Sequence, residues 1–186
     1  ESMMESRFTY SDCRFCPRDC RVDRRSGRGV CGEGPAVRAA AAVLHHGEEP
    51  PLTGTHGSGT IFFTGCTLRC SYCQNRQISA EGLGREISVE ECAGLALEME
   101  RRGAATVNLV SGTPFLPSLV RAMRTARRHG LQIPVVWNSS GYETEAAVEL
   151  LAEAVDIFLP DIKSLRPELT GRLSGARDYP EHARRA

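Results

Sequence analysis

From residue 60 onward, short apolar or β-branched runs alternate with segments of helical period, joined by short loops. This alternation dictates parallel pairing, because two consecutive parallel strands need a crossover and a helix supplies it. The strand-like runs cover residues 60–63, 106–110, 133–137 and 157–159. The first helix begins at Ser88, which with Glu91 forms a capping box, and its apolar face carries Val89, Cys92, Leu95, Ala96 and Met99. Cys92 is therefore expected in the core. Further helices are predicted over 116–129, closed by Gly130, and over 143–154. Residues 36–44 fit an edge strand or a short helix, and Pro50-Pro51 is expected to break the chain.

Ligands of open parallel sheets bind outside the carboxyl ends of the strands. Four glycine or polar motifs fall there: Gly65-Cys66, then Ser111-Gly112-Thr113-Pro114, then Asn138-Ser139-Ser140-Gly141, then Asp161-Ile162-Lys163. Their convergence on one rim predicts a single site built from four strand ends.

The first motif opens the run Cys66-Thr-Leu-Arg-Cys70-Ser-Tyr-Cys73-Gln-Asn. Ordinary ferredoxin clusters take four thiolates. Three so closely spaced can hold three corners of a cubane and leave its fourth iron open, and an open metal position is characteristic of catalytic sites. The alternative is a zinc site completed by a distant ligand. With Tyr72 just before the last cysteine, GSGTIFF before the motif and SGTP, NSSGY and DIK after it, the chain resembles the radical S-adenosylmethionine (SAM) enzymes. Within them, HHGEEPPLTGTHGSGTIFFTGCTLRCSYCQN resembles relatives of the pyruvate formate-lyase activating enzyme.

The resemblance implies a partial (β/α) barrel over 35–186, missing its last βα units, so that the strand at 157–159 should leave an unpaired apolar edge. It implies a [4Fe-4S] cluster on Cys66, Cys70 and Cys73. SAM would chelate the open iron and be cleaved reductively to methionine and a 5′-deoxyadenosyl radical. Tyr72 would lie near the adenine and the backbone of Ser111, Gly112 and Thr113 near the SAM amino group, with Thr113 standing where the activating enzymes have an acidic residue. Lys163 would meet the SAM carboxylate. Asp161, with Asn138 or Ser139, would bind SAM or a monovalent cation, although the activating enzymes carry Asp at the Asn138 position. His45, His46, Glu48 and Glu49 resemble a family stretch and either line the substrate side or form a polar turn. Implied partners are a flavodoxin- or ferredoxin-type electron donor and a protein substrate such as a glycyl radical enzyme.

Residues 1–34 read as a disordered start, over 1–12, followed by a cysteine-rich segment. Cys13, Cys16, Cys20 and Cys31 have spacings of two, three and ten residues, which suits a second metal centre, zinc or iron–sulfur. Arg18, Arg21, Arg24, Arg25 and Arg28 crowd the same segment, as a solvated surface or a patch for an acidic partner. Over the whole chain, 23 basic residues balance 23 acidic ones, so composition argues for neither nucleic acid nor an anionic membrane as partner. No apolar stretch approaches the roughly 18 residues that span a bilayer. The expectation is a cytoplasmic protein. Two other readings stay open: a non-catalytic iron–sulfur or zinc module for electron transfer or interaction, and a radical SAM modifier of RNA or peptide.

Overall fold

A computed structural model describes residues 7–186. Its centre is one sheet of six strands: β1 (Val37–His45), β2 (Ser58–Phe63), β3 (Arg85–Ile87), β4 (Val107–Val110), β5 (Val135–Ser139) and β6 (Ile157–Pro160), in spatial order β3-β1-β2-β4-β5-β6. The four strands expected from the apolar runs, β2, β4, β5 and β6, pair in parallel. Their crossovers are α3 (Val89–Arg101), α4 (Leu116–Arg128) and α5 (Glu145–Leu151). The mixed α/β architecture thus agrees with the partial β/α fold that the resemblance implies.

The remaining two strands extend the sheet on the other side. β1 runs antiparallel to β2 and β3 antiparallel to β1. β1 is therefore an interior strand, not an edge, and the alanine run that made it ambiguous lies flat between two neighbours. Pro50 does not simply break the chain. It opens a one-turn helix, α1 (Pro50–Thr53), at a position where its missing N–H has no intrahelical partner to lose. β6 pairs only with β5 among the described residues, and Phe158 on it is exposed.

Local chemistry explains the helices. Ser88 Oγ accepts from the Glu91 N–H at 3.0 Å while Glu91 Oε2 accepts from the Ser88 N–H at 2.7 Å, the reciprocal cap expected from sequence. Cys92, Ala96 and Met99 of α3 and Leu119, Val120 and Met123 of α4 are all buried. Each such side chain stabilises the fold by roughly 1.5–3 kcal/mol where it is large and aliphatic. They cover one face of the sheet, on which Ile61, Leu109 and Trp137 also point into the core. The other face, at its carboxyl end, carries Phe62, Val110 and Asn138 in one register row.

The amino-terminal segment corrects one expectation. Residues 1–6 of the stretch expected to be disordered lie outside the described residues, but within 7–12 Phe8 is buried and Tyr10 partly buried. Phe8 and Phe15 belong to the main core, and the Tyr10 hydroxyl bonds Ser118 Oγ at 2.9 Å. Arg24 is likewise no surface charge. It is 1% exposed and donates to the carbonyls of Glu33 (3.1 Å), Gly34 (2.5 Å) and Pro114 (2.5 Å). Its guanidinium also lies over the rings of Tyr10, Phe15 and Phe115. Arginine suits this place because its planar fork can serve several acceptors at once.

Candidate active site

A cavity of about 820 Å³ opens at the carboxyl ends of the parallel strands. It is bounded on one side by the loop after β2, which carries Cys66, Cys70, Tyr72 and Cys73, and on the other by Ser111, Asn138 and Ser139, with Asp161 and Lys163 after β6. Nine of the predicted site residues therefore share one wall or another of one cavity. Gly112 and Thr113 do not line it. A short 3₁₀ turn, Thr113–Phe115, carries them inward. A Cβ on Gly112 would stand 2.6 Å from Leu119 Cδ1 and 2.7 Å from Trp137 Cη2, so glycine here permits close packing on the core side. The left-handed backbone falls instead on Ser111, at φ 59°, an uncommon conformation for a residue with a Cβ and one that recurs at functional sites.

The three thiols interact. Burial pushes the Cys70 thiol up from its ordinary value; a hydrogen bond with Tyr72 and the Lys163 charge act the other way, while Cys66 and Cys73 add to the rise. Ser79 Oγ, from the one-turn helix α2 (Arg76–Ser79), donates to Cys73 Sγ at 3.3 Å. Tyr72 is 55% exposed at the cavity rim, and its phenol is raised to about 12, chiefly by desolvation and then by Cys70. Among the described residues, no three His, Cys, Asp or Glu side chains already enclose a space fit for one metal ion. The donor set at Cys66, Cys70 and Cys73 suits a polynuclear cluster, whose thiolates bind separate irons and need not converge on one atom.

In the same cavity, Lys163 Nζ pairs with Asp161. The Lys163 backbone N–H donates to Tyr179 Oη at 2.9 Å, and that hydroxyl donates to the Ser140 carbonyl at 2.6 Å. Tyr179, on α7 (Tyr179–Arg185), thereby ties the β6 loop to the β5 loop.

The sequence left one feature between two readings and missed two others. His45 and Glu48 line the cavity, and Asn138 Nδ2 donates to Glu48 Oε1 at 3.4 Å. The family-like stretch around them was visible, but only the fold brings the end of β1 across to β5. Gln74 and Asn75 line it too, and their signal was their place directly after Cys73. Glu143, read as the start of a helix, precedes α5 and is 4% exposed. Thr113 Oγ1 donates to its Oε1 at 2.7 Å and Ser139 Oγ to its Oε2 at 2.9 Å. It therefore bridges the loops after β4 and β5. Burial raises its carboxyl above the usual glutamate range, against those two hydroxyls. The Trp137 indole lies close enough to favour the charged form yet does not reach hydrogen-bond geometry.

Residues 60–186 match the family profile of the radical SAM superfamily. The chain belongs to the radical SAM superfamily. It is 34% identical over 177 residues to "Uncharacterized protein MJ0674" of Methanocaldococcus jannaschii, covering 91% of this chain and 51% of that protein. It is 26% identical over 124 residues to the pyruvate formate-lyase 1-activating enzyme of Escherichia coli K12, covering 63% of this chain and 50% of the relative. A protein of the same name from Shigella flexneri matches equally. The chain thus spans about half the length of the curated relatives it matches. Among the described residues, no helix is long and apolar enough to cross a membrane.

Proposed function

We propose that this radical SAM chain carries a [4Fe-4S] cluster on Cys66, Cys70 and Cys73 and cleaves SAM reductively in the cavity beside it. The observation that carries this reading is the placement of the three thiols and of Lys163, Asp161, Ser111 and Asn138 around one cavity of about 820 Å³. Cys66, Cys70 and Cys73 would hold the cluster, which would supply the single electron that reductive cleavage of the SAM sulfonium requires.

The chain's own residues bind and orient. Lys163, fixed at its backbone by Tyr179, offers a cation for the SAM carboxylate. Glu48 faces the same cavity and offers the anion for the SAM ammonium, the role for which the loop after β4 has only the inward-turned Thr113. Asn138 sits between these groups and holds Glu48. Tyr72, apolar-faced and exposed at the rim, is placed to cover an adenine ring. Glu143 is a positioning residue: it joins the Ser139 hydroxyl to Thr113 and so fixes two cavity loops relative to each other.

The likeness to pyruvate formate-lyase activating enzymes supports a protein substrate, hydrogen removal from a partner's glycine and a small flavodoxin- or ferredoxin-type donor. Anaerobic reconstitution tests the reading. Iron and sulfide should load at the level of one cubane, its electron paramagnetic resonance signal should shift on adding SAM, and 5′-deoxyadenosine should form with a strong reductant. A cluster blind to SAM would overturn it.

A further inference from the structure

A serine or threonine inside a helix commonly bonds a carbonyl of its own preceding turn. Three hydroxyls of this chain do so. Thr53 Oγ1 in α1 donates to the Pro50 carbonyl at 3.4 Å. In α6 (Pro167–Ser174), Thr170 Oγ1 donates to the Pro167 carbonyl at 3.3 Å and Ser174 Oγ to the Thr170 carbonyl at 2.8 Å. Ser79, the last residue of α2, does otherwise. The carbonyl four residues back, that of Asn75, takes the backbone N–H groups of Ile78 at 3.0 Å and Ser79 at 2.9 Å. The Ser79 hydroxyl turns instead to Cys73 Sγ at 3.3 Å, its one hydrogen-bond partner among the described residues.

The surrounding backbone holds it there. The carbonyls on either side of Ser79 both accept from the cysteine loop, Ile78 from the Gly65 N–H at 3.1 Å and Ala80 from Arg69 Nη2 at 3.0 Å. The loop that carries the three thiols thus grips α2 on both sides of its hydroxyl. On the sulfur's side, the Cys73 N–H donates to the Cys70 carbonyl at 3.1 Å and fixes the backbone from which the thiol projects. Ser79 is buried and Cys73 half-buried, so the bond is shielded from water and strengthened by the low local dielectric. A neutral thiol is a weak acceptor, for which a serine gains little by giving up a carbonyl. A cluster-bound thiolate is charged, and bonds donated to a charged acceptor are about twice as strong.

We propose that Ser79 is a positioning residue that acts through the Cys73 sulfur to raise the reduction potential of the cluster. The inference rests on the reading of Cys66, Cys70 and Cys73 as cluster ligands. Reduction adds one negative charge to the cluster and its thiolates. A donor aimed at one sulfur stabilises that added charge, and hydrogen bonds to the sulfurs are among the factors that set such potentials. The hydroxyl therefore lets the electron come from a milder donor than a chain without it would need.

The test compares the reconstituted parent with Ser79→Ala, Ser79→Gly and Ser79→Thr by redox titration followed by electron paramagnetic resonance. All four should load the same iron and sulfide. The two variants without a hydroxyl should have midpoint potentials lower by about 40–60 mV, a roughly fivefold to tenfold loss of reduced form at fixed applied potential, tenfold being about 59 mV for one electron. Ser79→Thr, which keeps the hydroxyl, should stay within about 15 mV of the parent, less than a twofold change. Lost packing alone would lower the melting temperature of Ser79→Ala and leave the potential where it was. Equal potentials in the parent and the hydroxyl-free variants overturn the inference, as does an equal fall in all three variants. Folded Ser79→Ala and Ser79→Gly chains that load no cluster also overturn it, since the hydroxyl would then serve assembly. A parent that loads no cubane overturns the cluster reading itself.

Discussion

Gly65, immediately before the cysteine loop, is the position where a single methyl group should do most harm for its size. Its φ is 74°, in the left-handed region. A side chain there costs about 1–2 kcal/mol from backbone conformation alone. The new Cβ would also stand 2.5 Å from Glu33 Cγ and 3.0 Å from the Cys31 carbonyl oxygen. Glu33 cannot swing away, because its side chain is 3% exposed and ion-paired with Arg38 at 3.3 Å. Overpacking of this kind costs about 1–3 kcal/mol. The expected sum for Gly65→Ala is about 2–5 kcal/mol, and a loss of about 3 kcal/mol lowers the melting temperature of a domain this size by about 6–12 °C. Gly94→Ala is the matched control. Gly94 is exposed within α3 and a Cβ there meets nothing within 4 Å, so alanine should stabilise by about 0.5–1 kcal/mol. Thermal unfolding of both variants, with iron and sulfide counted after reconstitution, makes the comparison. If Gly65→Ala melts within about 1 °C of the parent, the contact argument fails.

Arg24→Met should remove the donors of three buried carbonyls and cost about 3 kcal/mol or more, read from urea unfolding. Glu48→Gln should weaken SAM binding to the reconstituted protein roughly tenfold or more, as loss of one charge-assisted bond would, with the cluster content unchanged. Glu143→Gln should alter the pH dependence of stability. The native carboxyl is raised, so above the ordinary value of 4.5 the folded chain keeps a proton that the unfolded chain releases, and stability falls as pH rises through that window. Relative to Glu143→Gln, the parent should lose up to about 1.4 kcal/mol per pH unit there, and a constant difference from about pH 4 to about pH 8 would refute the assignment.

What the sequence revealed depended on how local the determinants were. The capping box at Ser88 and Glu91 is made within four residues, and the helix start followed from it. Three of the four parallel strands, β2, β4 and β5, announced themselves through β-branched and apolar runs that are largely buried on both faces, and β6 through a short run of the same kind although Phe158 on it is exposed. β3 was invisible: Arg85–Ile87 has two exposed residues out of three and is a strand only because β1 lies beside it. Phe8 and Tyr10 looked like isolated aromatics in a polar start, and only tertiary contact with Phe15 and Ser118 gives them a place. In the site, residues following a strand were legible from the rule about strand ends. Glu48 was legible only as one of two readings, and Glu143 not at all, since Glu48 meets Asn138 and Glu143 meets Thr113 across loops that no spacing relates. Gly112 was legible as a special position, but its reason, a tight fit against Trp137, belongs to packing.

The amino-terminal cysteine-rich segment and the cysteine loop touch along a seam of backbone contacts. Arg18 Nε donates to the Thr67 carbonyl at 2.9 Å, Arg69 Nη1 to the Val30 carbonyl at 3.1 Å, and Gly65 lies against Cys31 and Glu33. The cysteine loop therefore has its backbone held from outside, and a chain whose amino-terminal segment is unfolded would present that loop with no cradle.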